Sequence, residues 1–393
     1  MNISFILPSR NNLKYLKWSY DSIRKNQGNH VVEICVADDF SNDGTWDWCT
    51  NMMNTDKHFK AIRNDGPNRL GHTILYDRLV NDVSTNDICM IYHADMYLCP
   101  EALDSIAKNI ELGKIVSLTR IEPPLHPPGP EKVFIEWGAT EPENFDEAKF
   151  LKWFNTDLKR EKNTEGVFAP WAFYKKDFQD IGGHDSLYAP QSKEDSDIFN
   201  RFQLNGIKFI QTWEGFVYHM TCRGSRFNPL LTTPGKNSNE WESQNLKSSR
   251  NFIRKWGHFV KHDELMKPII PPKYNIGFII KNCNSNLLEL LEPWCDNIYI
   301  EDVNLANEYI SREQINTKFI LNNRVKNINN ISENDVLIEF DGSLFKQEQF
   351  NFIQNLSEII SSSAEVGIME YDIFKFTIES LNTYEKKLIT CNN

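Results

Sequence analysis

The feature that most constrains the fold is an alternation in the first half of the chain. Short apolar runs at residues 3–7, 32–37, 59–62 and 88–92 read as strands, and residues 13–25 and 101–110 read as helices between or after them. Such alternation builds a mostly parallel sheet with helices on its faces. In sheets of this kind ligands bind beyond the C-terminal ends of the strands. Pro8-Ser9-Arg10-Asn11, Asp38-Asp39-Phe40-Ser41 and His93-Ala94-Asp95 each follow a strand end. They are expected to meet on one edge although they lie far apart in the chain.

The rest of the composition narrows the class. With 393 residues, two domains are expected. A hydrophobic content of 40% and an aromatic content of 12% fit a globular chain, not a disordered one. The net charge of -11 argues against a broad nucleic-acid surface. An anionic ligand would then need a local cationic or metal site. The eight cysteines (35, 49, 89, 99, 222, 283, 295 and 391) show no paired spacing. Reduced thiols in the cytoplasm are the simpler reading. The chain opens directly on a strand-like run without the features of a signal peptide, and no apolar run reaches the length of a membrane span.

Acidic residues open a helix-compatible stretch at Lys193-Glu194-Asp195-Ser196-Asp197, followed by Ile198-Phe199-Asn200-Arg201. Acids at a helix start also suit the helix dipole. Taken with Val217-Tyr218-His219 downstream and His93-Ala94-Asp95 upstream, they point to a metal-dependent site for a phosphorylated donor, with one carboxylate as base.

Five blocks in order carry a family resemblance. These are Ser4 to Asn11, then Ala37-Asp38-Asp39-Phe40-Ser41-Asn42-Asp43-Gly44-Thr45, then His93-Ala94-Asp95, then Glu194-Asp195-Ser196-Asp197 with Arg201, and finally Lys255-Trp256-Gly257. Over roughly residues 1–260 the chain resembles a family 2 glycosyltransferase of the GT-A fold, a Rossmann-like α/β mixed sheet flanked by helices. The acidic helix, preceded by Gly182-Gly183, is also similar to that of beta-1,4-galactosyltransferases. The resemblance implies a nucleotide-diphosphate sugar as donor and a glycan or other hydroxyl as acceptor. It implies Mn²⁺ or Mg²⁺ as cofactor, held by Asp95 and His219, and an inverting transfer with Asp195 as general base. His93 stands where the family carries an acid, and Ala94 lies beside it. The resemblance puts Pro8, Ser9 and Arg10 beside the nucleoside, and Asp38 and Asp39 near the base. The alternative for both aspartates is a turn carboxylate bound to its own backbone. Arg69 suits the base or diphosphate and equally an ordinary surface position. Glu194 is expected to hold acceptor or sugar hydroxyls, Gly183 to line the site, and Trp171 to stack on a sugar or pack in the core. Asp197 and Arg201 are expected to pair at i,i+4 and brace the helix.

The Pro-rich residues 123–130 read as a rigid loop, either a connector or a wall of the acceptor pocket. Residues 239–261, with Arg250, Arg254, Lys255 and Trp256, read as a solvated helix packing against the first domain, the alternative being contact with a membrane surface. Residues 1–262 are expected to be catalytic, 263–273 a linker, and 274–393 a smaller α/β domain. Asn275-Ile276-Gly277-Phe278-Ile279-Ile280 echoes residues 2–7, and residues 334–340 echo 86–92, which suggests a shortened, degenerate copy of the first fold. In that copy Ser343 replaces Asp95. Its role is open between structural, dimerising as a homo-oligomer, and acceptor-holding. Two other functions remain in play: a nucleotidyltransferase acting on sugar phosphates, although no Gly-rich triphosphate loop is visible, and a non-catalytic glycan- or nucleotide-sugar-binding protein.

Overall fold

The structure is a computed structural model and describes residues 1–221 and 237–391. Cys222 lies outside the described residues. The chain divides into two compact units, one of Met1–Gln244, His262–Pro268 and Thr390–Asn393, the other of Asn245–Lys261 and Ile269–Ile389. The first unit holds β1 (Asn2–Ser9), α1 (Leu13–Asn26), β2 (Val31–Asp39), α2 (Thr45–Thr55), β3 (Phe59–Asn64), α3 (Gly71–Arg78), β4 (Ile88–Ile91), β5 (Met96–Leu98) and α4 (Ala102–Asn109). It continues with β6 (Lys114–Glu122), β7 (Lys132–Phe134), α5 (Glu147–Thr156), β8 (Trp171–Tyr174), α6 (Lys175–Asp180), α7 (Glu194–Leu204) and β9 (Lys208–His219).

The strands form one mixed sheet in the order β3-β2-β1-β4-β8-β6-β9-β5, with β7 beside β6. The left half, β3 to β4, is parallel, and β8 turns the direction. The central strands are buried on both faces, so β1 is apolar almost throughout. Helix α1 buries Tyr15, Leu16, Ser19, Ser22 and Ile23, the stripe expected of a helix lying on a sheet. Parallel strands ending together bring Ser9 beside Asp38, and Asp39 beside Asn64.

Helix α8 (Asn239–Trp256) counts with the first unit up to Gln244 and with the second from Asn245. The expectation of a solvated helix on the first domain fails here. Arg254 and Trp256 are fully buried and Lys255 nearly so. Arg254 is neutralised by Glu292 at 2.7 Å and Glu313 at 2.5 Å, both in the second unit. Burial of the guanidinium is tolerated because its donors are matched by carboxylates.

The second unit contains β10 (Ile276–Lys281), α9 (Ser285–Leu291), β11 (Asn297–Ile300), α10 (Val303–Glu313), α11 (Leu321–Arg324), β12 (Val325–Asn327), β13 (Val336–Asp341), α12 (Gln347–Gln354), α13 (Leu356–Ser363), β14 (Gly367–Tyr371) and β15 (Phe374–Ile378). Its sheet runs β12-β11-β10-β13-β15-β14. Four parallel strands are followed by an antiparallel one, as in β3-β2-β1-β4-β8. The registers agree as well. Phe5 pairs with Ile34 and Met90, and Phe278 pairs with Ile298 and Ile338.

Candidate active site

The site forms where β4 gives way to β5. Tyr92, His93, Ala94 and Asp95 fill the turn between them, and β5 pairs antiparallel with β9 so that Met96 faces His219. This register sets His219 Nε2 3.4 Å from Asp95 Oδ1. The ligand atoms of His93, Asp95 and His219 all lie within 4.8 Å of one another. Two imidazoles and a carboxylate at that separation fit a divalent cation that accepts mixed nitrogen and oxygen ligands.

Glu122, which the sequence reading did not single out, completes the arrangement. It ends β6, which runs parallel to β9 with Ile121 opposite Tyr218. Its Oε1 lies 3.2 Å from His219 Nδ1. Arg120 at 2.8 Å and Lys132 at 2.9 Å hold its other contacts. With Nδ1 turned to Glu122, His219 presents Nε2 to Asp95 and the metal position. Burial alone would lower the basicity of His219, but Asp95 and Glu122 outweigh it and raise its pKa to about 9. Burial raises the Asp95 carboxyl, yet His219 prevails and holds it at about 2. His93 is depressed to about 4, by burial first and then by the charge of His219.

Helix α3 borders the same space. Asp39 accepts from the backbone N–H of Leu70 and of Gly71, both at 2.9 Å, and from Asn64 Nδ2 at 2.7 Å. Its carboxylate therefore orients the start of α3. Asp38 accepts from Ser41 N at 3.1 Å, while its Oδ2 is buried without a hydrogen bond, 3.4 Å from Arg63 Nε. Arg69 is largely buried, lying 3.7 Å from Asp39, 3.5 Å from Glu240 and 2.5 Å from Gln191. Pro8 and Ser9 close β1, with Ser9 Oγ and Arg10 Nε buried and without hydrogen-bond partners. At the second position of α3, His72 is lowered to about 3 by burial and then by Arg69. Tyr76 is raised well above the usual phenol range by burial, then by Asp195, Glu194 and Asp95 in turn. Its hydroxyl is therefore within electrostatic reach of both the acids of α7 and Asp95.

Helix α7 presents Glu194 buried and Asp195 partly exposed. Burial raises both carboxyls, and Glu194 is raised further by Asp195. Asp197 and Arg201 pair at 2.7 Å, both fully buried. Arg201 also donates to the carbonyls of Ile181 at 3.0 Å and Gly183 at 2.6 Å, which fastens the helix to the preceding segment. Gly183 packs against Asp77, and a Cβ there would sit 2.4 Å from Asp77 Oδ2. Trp171 is a correction: it has no exposed surface and packs on Phe173, Phe199 and Phe202, so it supports the site from the core instead of stacking on a sugar.

With this geometry in place, comparison with known proteins shows what the first part of the chain is similar to. Residues 4–182 match the family model described as glycosyl transferase family 2. These residues are similar to a glycosyl transferase family 2 domain, over slightly less than half of the chain. The match stops short of Glu194, Asp195 and His219, whose placement comes from the geometry above. No curated protein matches the chain. Among solved structures, GalNAc-T7 with UDP, GalNAc and Mn²⁺ is 15% identical, with 65% of this chain and 48% of that chain covered and a TM-score of 0.45. The S. aureus TarS 1–349 structure is 15% identical over 56% of this chain and 60% of that one, TM-score 0.40. The mannosyltransferase PcManGT from Pyrobaculum calidifontis, in complex with GDP-Man and Mn²⁺, is 14% identical over 81% and 76%, TM-score 0.43. This chain thus spans about half the length of the GalNAc-T7 chain. Among the described residues, no helix is long and apolar enough to cross a membrane.

Proposed function

We propose that the chain transfers a sugar from a nucleotide-diphosphate donor to an acceptor hydroxyl, with inversion at the anomeric carbon. The observation that carries this reading is the placement of two chemistries around Tyr76, in a chain similar to family 2 domains. Asp95, of the ligand trio His93, Asp95 and His219, and the paired acids of α7 all act electrostatically on Tyr76. His93, Asp95 and His219 would hold Mn²⁺ or Mg²⁺. When bound, the cation supplies positive charge to the leaving diphosphate. Asp195 takes the proton of the acceptor hydroxyl while that oxygen bonds to the anomeric carbon and the bond to the diphosphate breaks. Glu194, the more buried acid, retains a proton near neutrality and shares it in a hydrogen bond to a sugar hydroxyl, so that Asp195 keeps the charge. Pro8, Ser9, Arg10, Asp38 and Arg69 line the strand ends on the nucleoside side.

The second unit is a shortened copy of the first fold without a metal site, a reading supported by their common strand order and register. A cytoplasmic setting is supported by the free thiols of Cys35, Cys49, Cys89, Cys99, Cys283 and Cys295.

The test is a screen of nucleotide sugars for metal-dependent binding by calorimetry, followed by NMR of the product. Asp95→Ala is expected to abolish metal-dependent donor binding with the fold intact. Undiminished binding in that variant, or a retained anomeric configuration, would refute the proposal.

A further inference from the structure

Trp171 is buried, but another tryptophan is held open to solvent beside the site. All ten tryptophans lie among the described residues, and Trp137 is the one that is exposed, at 41%. So large an apolar ring stabilises the fold most when buried, so its exposure calls for a reason. Its place is well fixed. Ile135 donates its N–H to the carbonyl of Glu122 at 3.0 Å, and Gly138 donates to the carbonyl of Ile135 at 3.1 Å. Glu136 and Trp137 are therefore the central pair of a tight turn. The turn is seated on Tyr218, whose hydroxyl donates to the carbonyl of Ala139 at 2.5 Å. A Cβ at Gly138 would lie 2.8 Å from that same hydroxyl, so only glycine allows the close seat.

Both anchors of the turn adjoin the metal-ligand trio. Glu122 faces His219 Nδ1 at 3.2 Å, and Tyr218 precedes His219 in β9. Two residues of chain, at most about 7 Å, separate Trp137 from Ile135. Helix α5 supplies the rest of the setting. Lys149 and Trp153 share one face of it at i,i+4. The Trp153 ring meets Trp137 with centroids 5.7 Å apart and planes 80° apart, and Lys149 Nζ lies 4.5 Å from the Trp137 ring centre. Glu136 and Lys149 are exposed, and among the described residues neither has an ion-pair partner.

A single ring with a cation and a carboxylate at its margin is a poor protein-docking face, which needs an apolar core within roughly 1,000 Å² or more of interface. It suits a sugar, which offers C–H groups to a flat ring and hydroxyls to the polar groups around it. We propose that Trp137, with Glu136 and Lys149 at its margin, is a subsite for a sugar ring of the acceptor, which is therefore a saccharide chain. The proposal rests on the reading of this chain as a transferase. The turn extends away from the ligand trio, so the sugar it holds is not the one whose hydroxyl reacts, and a single sugar cannot fill both places.

The test uses the full chain on an array of α- and β-linked gluco-, galacto- and manno-oligosaccharides, from one sugar to several. The indole N–H signals of nitrogen-labelled protein are read in parallel, with Trp137→Ala identifying the Trp137 signal. The wild type should bind chains longer than one sugar, and binding should shift that signal. Trp137→Ala should weaken binding about tenfold or more, and Trp137→Tyr, which keeps a ring, should weaken it less. Both variants should keep the wild-type melting temperature, because the side chain is exposed, and should bind donor with Mn²⁺ as the wild type does. An array without a bound oligosaccharide, or equal binding by Trp137→Ala, would overturn the proposal. So would self-association that Trp137→Ala abolishes in the absence of saccharide binding, which would mark a protein contact. If saccharides bind through Trp137 but no nucleotide sugar binds with Mn²⁺, the transferase reading fails and the saccharide site stands. If the donor binds and no saccharide does, the subsite alone fails.

Discussion

Glu122 shows how a residue outside a ligand set can govern it. Its carboxylate faces His219 Nδ1 and also neutralises Arg120 and Lys132. Removing the side chain would strand two cations, so the informative change is Glu122→Gln, which keeps size and removes charge. The imidazole then loses the partner that orients Nε2 and raises its basicity. Loss of such a partner commonly lowers metal affinity about 10- to 100-fold. Calorimetry with Mn²⁺ alone, before any donor is added, should show a loss in that range. An unchanged affinity would mean that strand register alone holds His219 in place. Asp39 is a second case. The sequence left it open between a ligand contact and a backbone-binding turn carboxylate, and the structure displays the backbone bonds, to Leu70 and Gly71.

At the scale of elements, legibility in the sequence followed burial. The strands β1, β2 and β4 were readable because a doubly covered parallel strand is mostly apolar, and α7 announced itself by its acids. By contrast β5 and β7 are three residues long, too short for any period to register. Helix α3 buries Gly71, Thr73, Leu75 and Tyr76, of which only two are large and apolar, so it carries no amphipathic stripe to read. Glu122 went unmarked because β6 did, although the β-branched content of residues 114–122 before a Pro-Pro pair was the available signal. Helix α3 nevertheless brings His72, Tyr76 and Asp77 to the site, and its start depends on Gly71. That residue has φ +80°, and a Cβ there would lie 2.1 Å from the carbonyl oxygen of Pro190. Gly71→Ala should therefore shift the start of α3, destabilise by more than the ~1–3 kcal/mol of backbone strain alone, and weaken donor binding. Gly113→Ala is the control, because its φ is also +80° but nothing lies within 4 Å. Equal losses of melting temperature in the two variants would show that Pro190 yields freely and that α3 is not so pinned.

At the scale of the whole molecule, two sheets share one strand order, but only the first has gathered ligands. The reason can be traced residue by residue. In the first sheet β4 runs into Asp95, and β9 returns His219 beside it. In the second, β13 runs into Asp341, Gly342 and Ser343, with Ser343 Oγ donating to Asp341 Oδ1 at 2.7 Å. Asn282 Nδ2 also donates to Asp341, at 3.0 and 3.1 Å, so this carboxylate is engaged by neutral side chains. The second sheet ends at β14 and has no strand in the place of β9 to bring a histidine. Among the described residues, His93, Asp95 and His219 form the one cluster able to take a metal. The full chain should accordingly bind one nucleotide-sugar per molecule in the presence of Mn²⁺. Asp95→Asn, which preserves shape and removes charge, should leave no metal-dependent binding behind. Calorimetric stoichiometry decides this. Two equivalents in the wild type, or one equivalent surviving in Asp95→Asn, would mean that the second sheet has kept a donor site of its own built on other ligands.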